Sequence, residues 1–207
     1  MLYLASIIFF ILVICAIWRI ACNYYNIPWP YWLAWWLENP YMIVFCNPKR
    51  VLRLADLEPH MKVLELGCGA GRITFSLSEV LLTGSVLGVD FQRGMLSIFQ
   101  RRLMKSNQSN ISCATLDLTH DDLPKGEFDR VIIVTVLGEI PNYQRVLKNS
   151  LKVLKENGRI SITEVLPDPC YIFSKTLLKD CIKVGFEHVK TERNLVSYTM
   201  TLKKPMV

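Results

Sequence analysis

Residues 63–74 read VLELGCGAGRIT, an apolar run followed by three glycines, Gly67, Gly69 and Gly71, at alternate positions. The β-branched and leucine residues up to Leu66 predict a strand, and the helical period after Gly71 predicts a helix at about 71–82. The glycines therefore stand in a strand-to-helix turn, where they let the backbone turn tightly and approach a ligand closely. Ligands of such sheets bind outside the carboxyl ends of the strands. Nineteen residues beyond Gly71 a second apolar run, SVLGVD, ends on Asp90. A carboxylate there is placed to accept hydrogen bonds from ribose hydroxyls. Turn and acid together imply a nucleoside-containing ligand.

The spacing discriminates between such ligands. A dinucleotide fingerprint is GxGxxG, its third glycine allowing close helix–strand packing. Here the spacing is GxGxG, and Arg72 stands where that glycine would be. Glu65, two residues before the first glycine, places an acid facing the turn. A carboxylate repels a pyrophosphate but suits a cationic ligand end, such as a sulfonium amino acid with its ammonium group. A nicotinamide dinucleotide is disfavoured. Cys68, inside the turn, reads as a small filler rather than a nucleophile.

The rest of residues 48–207 alternates between short β-branched runs and helical periods. Strands are expected at 62–66, 85–90, 111–115, 130–135 and 159–163, with helices at 48–56, 92–105, 141–155 and 171–183. Two closing strands, 186–192 and 194–203, meet at a short turn, Arg193–Asn194. The pattern predicts an α/β protein: a Rossmann-like, doubly wound, mostly parallel seven-stranded sheet with an antiparallel edge hairpin.

The N-terminus is physically different. Of the 207 residues, with net charge +6, residues 1–47 hold only Arg19 and Glu38 as charges, and all five tryptophans lie within the first 36. Residues 1–22 are long and apolar enough for a membrane helix, spanning or lying in the interface, with a buried soluble helix as the alternative; they lack the basic start and cleavage site of a signal peptide. Residues 23–47, with Pro28 and Pro30 breaking that helix, read as an aromatic-rich segment at the headgroup level, the alternative being an aromatic patch packed on the globular domain. Cations follow the span and none precede it, which places the 48–207 domain in the cytoplasm. Seven scattered cysteines with no CxxC pair argue against a disulfide framework or a metal site.

Residues 63–71 resemble motif I of class I S-adenosylmethionine-dependent methyltransferases, and the similarity runs over about residues 48–203. Asp90 matches that family's ribose-binding acid, and Asp117, in CATLDLTHDDLP, the acid that contacts the adenine amino group. FDRVIIVTVLGEI resembles the fourth-strand motif and VLKENGRISITEV the turn and fifth strand. Glu156-Asn157 replaces the usual Pro-Gly, and Gly138 occupies a position that is often histidine. The resemblance, nearest to the quinone and phospholipid branch, implies S-adenosyl-L-methionine as cofactor. It implies contacts from Glu65, Gly67, Cys68, Gly69, Gly71, Asp90, Phe91, Asp117 and Leu118. A base is needed only if the acceptor loses a proton. His120, Glu139 and Tyr143 are the candidates, with Asp121 and Glu164 on the same edge. The scattered basic residues suit an anionic membrane surface more than a nucleic-acid groove. The expected partner is a lipophilic small molecule or lipid. A binding-only assembly factor, or an enzyme acting on a soluble small-molecule or protein acceptor, is the alternative.

Overall fold

The computed structural model describes residues 30–39, 42, 46–166 and 168–206, together with the isolated helical positions 6, 9, 10, 13, 17 and 20. The expected membrane helix at 1–22 falls mainly outside the described residues. Among those described, no helix is long and apolar enough to cross a membrane.

The strands are β1 (Lys62–Leu66), β2 (Ser85–Asp90), β3 (Ile111–Thr115), β4 (Phe128–Val134), β5 (Leu154–Val165), β6 (Glu187–Arg193) and β7 (Ser197–Lys203). The helices are α1 (Pro48–Ala55), α2 (Arg72–Val80), α3 (Arg93–Met104), α4 (Gln144–Val153) and α5 (Ser174–Val184). One seven-stranded sheet runs in the order β3-β2-β1-β4-β5-β7-β6. Strands β1 to β5 are parallel, and β7 runs antiparallel between β5 and β6. The order reverses between β1 and β4, so the loops after these strands and their neighbours converge on one crevice.

Side chains alternate across the pleat, so the central strands feed two cores. On one face Leu64, Leu66, Val131, Ile133, Ile160 and Ile162 pack with Val146 and Leu147 of α4 and Leu177 and Cys181 of α5. On the other, Val63, Val86 and Ile132 pack with Val51 of α1, Ile73 and Leu77 of α2, and Phe99 of α3. The described cysteines are free.

Several boundaries differ from the sequence reading, the last helix for one beginning at Ser174 rather than 171. The helix expected to 155 ends at Val153, and β5 starts at Leu154 because Leu154 pairs with Phe128 across a register shift in β4. A 3-10 turn, Leu137–Glu139, and a loop separate β4 from α4, so the helix begins at Gln144 rather than 141. The hairpin turn lies at residues 194–196, not at Arg193–Asn194. There the Asn194 Oδ1 accepts from the amides of Val196 and Ser197 and from the Ser197 hydroxyl.

Candidate functional site

The glycine turn joins β1 to α2, and each glycine meets a different demand. All three have positive φ, at 72°, 54° and 90°. A Cβ on Gly67 would stand 2.4 Å from Cγ2 of Val136, just past β4, and one on Gly71 would strike Phe75 and Phe99. Gly69 is the contrast. Among the described residues only the Met95 Sδ, at 4.0 Å, comes near its would-be Cβ. The middle of the turn thus borders open space.

Asp90 ends β2, with each carboxylate oxygen holding a backbone amide. Oδ2 accepts from Gly69 at 2.9 Å and Oδ1 from Gln92 at 2.8 Å. The acid fixes the open part of the turn, and each oxygen keeps lone-pair capacity for a second donor. Burial raises its pKa, and the two amide bonds oppose that rise. Phe91 beside it, at the strand end, is exposed. Asp117 follows β3. It accepts from the Thr119 amide at 2.8 Å, and its Oδ2 lies 3.1 Å from Nδ1 of His120. The His120 bond leads in holding its carboxyl below the usual range. Leu118 is buried in the α4/α5-side core.

Glu65 lies beneath the turn. It is buried, and it accepts a short hydrogen bond from the Thr74 hydroxyl of α2. Burial pushes its carboxyl up to about 8, against the opposing effects of Thr74 and of Arg72. Cys68 is also buried, and its thiol pKa is raised by burial first and then by Glu65 and Asp90. Its side chain fills the space above Gly88, which suits a filler.

The proton-transfer candidates are dispersed. His120 is exposed and sits on Asp117. Asp121 caps the same loop, its Oδ2 accepting from the Asp117 amide at 2.8 Å. The Tyr143 hydroxyl donates to Asp180 of α5. Burial and that carboxylate raise the phenol, so it is held neutral. Glu139 stands half-buried in the 3-10 turn that follows Val136. Glu164, near the end of β5, is buried and pushed well up by burial, with the Ile172 amide as an opposing hydrogen bond. Its Oε1 has no partner among the described residues.

Several contributors were not legible in the sequence. Val136 packs on Gly67 from the neighbouring strand's end. Arg72 donates to the Cys46 carbonyl at 2.8 Å and so pins the chain entering α1 beside the turn. The 3-10 helix Tyr31–Glu38 rests on the start of α3, where a Cβ on Gly94 would lie 2.5 Å from the Tyr31 ring. Gly138 is fixed by fold, since a Cβ there would overlap the Cys170 carbonyl in the loop after β5. These contacts join residues far apart in sequence, and only the aromatic run at 31–36 signalled one of them.

A glycine turn bordering open space, an acid gripping that turn and an exposed ring beside the acid fit a nucleoside with an amino-acid end. The fold is that of S-adenosylmethionine-dependent methyltransferases. A solved S-adenosylmethionine-dependent methyltransferase from Aquifex aeolicus superposes with a TM-score of 0.78 at 18% identity, covering 86% of this chain and all of that one. The methyltransferase domain family matches residues 57–201, more than half of the sequence, and the chain belongs to it. Its cofactor is S-adenosylmethionine. Among curated relatives, a demethylmenaquinone methyltransferase of Lactococcus lactis is 38% identical over 117 residues, covering 56% of this chain and 46% of its own length. Another, of Staphylococcus saprophyticus, is 32% identical over 142 residues, covering 68% and 58%. The chain thus spans about half the length of the curated relatives it matches.

Proposed function

We propose that the protein is a membrane-anchored enzyme. In this reading it transfers the methyl group of S-adenosylmethionine to a lipophilic, quinone-type acceptor, with its globular domain on the cytoplasmic side. The relatives named for demethylmenaquinone support the acceptor class, and the apolar residues 1–22 support the anchor. The observation that carries the reading is the seat of the 3-10 helix on α3. It puts the exposed rings of Tyr31, Trp32 and Trp35 beside the strand ends where Asp90 and the glycine turn lie. Aromatic side chains favour the headgroup layer, so an acceptor leaving the bilayer there would meet the crevice at once.

When bound, the cofactor supplies an electrophilic methyl group on a sulfonium. The residues of this chain hold and orient. Gly69 leaves room for close approach, Asp90 offers its remaining lone pairs to ribose hydroxyls, and Phe91 offers a face to the adenine. Asp117 stands at the adenine edge, and Leu118 backs that loop from the core. Glu65, Gly67, Cys68 and Gly71 keep the turn in shape from beneath and from its ends. A positioned acceptor gains much of its rate from alignment alone. Glu139, in the turn whose Val136 covers Gly67, is the base we assign if the acceptor loses a proton. His120 at the Asp117 loop and Tyr143 on its Asp180 hydrogen bond then serve as positioning groups.

The test is methyl-labelled cofactor with purified full-length protein and a membrane lipid extract, followed by organic partition and chromatography, with Gly67→Arg as blank. Label in one lipid band, absent from the blank, is expected. Absence of organic-phase label with intact cofactor binding would overturn the lipophilic acceptor.

A further inference from the structure

The carboxyl edge of the sheet carries a second apolar cluster, on the flank away from the aromatic helix. Leu166 is 44% exposed, Phe173 60% and Leu195, at the hairpin tip, 90%. Leu166 directly follows β5, and β7 begins opposite β5's last residue, Val165 paired with Ser197. The Leu166 amide donates to the Val196 carbonyl at 2.6 Å, which ties loop and tip together. Arg193 donates to the Ser174 hydroxyl at 2.8 Å, which brings the start of α5 to the same place. Phe173 is braced from behind, edge-on to Tyr171, which itself meets Tyr198. Scattered exposed leucines need no explanation, but a braced cluster of three does.

The charges around the cluster are mainly positive. Lys49, Lys175 and Arg193 are exposed, and Arg50 donates to the Ser197 hydroxyl. Of the acids nearby, Glu192 is paired with Arg53, and Asp168 accepts from the Cys170 amide. Apolar tips ringed by cations match an anionic bilayer, with side chains among the acyl boundary and ammonium or guanidinium groups over lipid phosphates.

We propose that Leu166, Phe173 and Leu195 form a second bilayer contact. With Tyr31, Trp32 and Trp35 it would bracket the crevice and turn its mouth to the lipid. The strand order supports this, because β1 and β4 lie between the two flanks. From β2 to β5 is three strand spacings, roughly 15 Å. Both flanks can touch one surface while the glycine turn between them stays clear of it. The inference rests on the proposed membrane-side function, yet its test needs no methylation.

Hydrogen exchange is followed on full-length protein in detergent, in phosphatidylcholine vesicles, and in the same vesicles with phosphatidylglycerol. Slowed exchange at 166–173 and 194–197 in the anionic vesicles is expected, with no change in the turns at 58–61 and 82–84 on the opposite edge. Replacing Phe173 and Leu195 by Ser should erase that protection, each side chain being worth roughly a tenfold factor in partitioning. Unchanged exchange at either segment would overturn the surface, whatever is methylated. So would protection that grows with protein concentration in detergent alone, because the face would then belong to a second copy of the chain. Protection without any methylated lipid would instead sink the proposed function and leave this surface standing.

Discussion

Replacing Gly69 by Ala separates ligand contact from folding. Gly69 has φ of 54°, and among the described residues an added methyl would meet only the Met95 Sδ, at 4.0 Å. The folding cost is then the left-handed backbone alone, about 1–2 kcal/mol, a loss in Tm of roughly 2–8 °C for a chain of this size. The amide that donates to Asp90 is kept. The methyl nevertheless enters the space assigned to the cofactor, and affinity should fall at least about tenfold, or 1.4 kcal/mol. Gly67→Ala is the opposite case. Its φ is 72° and its methyl would stand 2.4 Å from Val136 Cγ2. Strain and overpacking then add to about 2–5 kcal/mol against the fold. Calorimetric titration with S-adenosylhomocysteine, beside thermal melts, measures both effects. Wild-type affinity in a folded Gly69→Ala protein would refute the placement of the cofactor over the turn.

Asp90→Ala removes the acceptor of two backbone amides. It should cost about 1.5–3 kcal/mol per bond in stability and abolish cofactor binding, both readable in the same titrations and melts. Gly138→Ala should destabilise by about 3 kcal/mol or more, because its Cβ would overlap the Cys170 carbonyl; denaturant unfolding decides it. Glu65, whose burial pushes its carboxyl from the ordinary 4.5 up to about 8, binds more protons folded than unfolded between those pH values. Its contribution is therefore greatest at low pH and declines as pH rises towards 8, with a ceiling of about 5 kcal/mol. Glu65→Gln should flatten that decline in a pH series of unfolding curves, and an unchanged slope would show that Glu65 is not its source.

The frame and the glycine turn were legible because their signals are local. Apolar runs such as KVLEL and SVLGVD bounded by glycine specify strands by themselves, and three alternate glycines specify the turn. Asp90 was legible by its distance from Gly71. What was not legible depends on partners distant in sequence. Gly138 read as a departure at a position often held by histidine, whereas its reason is Cys170, beyond β5. The hydrogen-bond partner of the Tyr143 hydroxyl, Asp180 of α5, lies 37 residues away and has no signal in the local sequence. The start of β5 at Leu154 depended on pairing with Phe128, which no periodicity encodes.

The engaged polar groups bear on mechanism. Asp90 grips the turn, Asp117 is fastened to His120 and Thr119, Tyr143 donates to Asp180, and Glu164 is buried with its pKa raised. Little of this machinery is left as a strong base at neutral pH. Much of it instead joins neighbouring loops. Gly67 packs on Val136, Gly69 bonds to Asp90, and Gly138 lies under Cys170. The loops after β1, β2, β4 and β5 are thereby linked in series around the crevice. Methyl transfer from a sulfonium gains most from fixed alignment, and under the proposed function this linked series of loops would supply it. A substitution that loosens one link, such as Gly138→Ala, should then slow turnover even where it touches neither ligand. One that removes a candidate base should matter only for acceptors that must lose a proton.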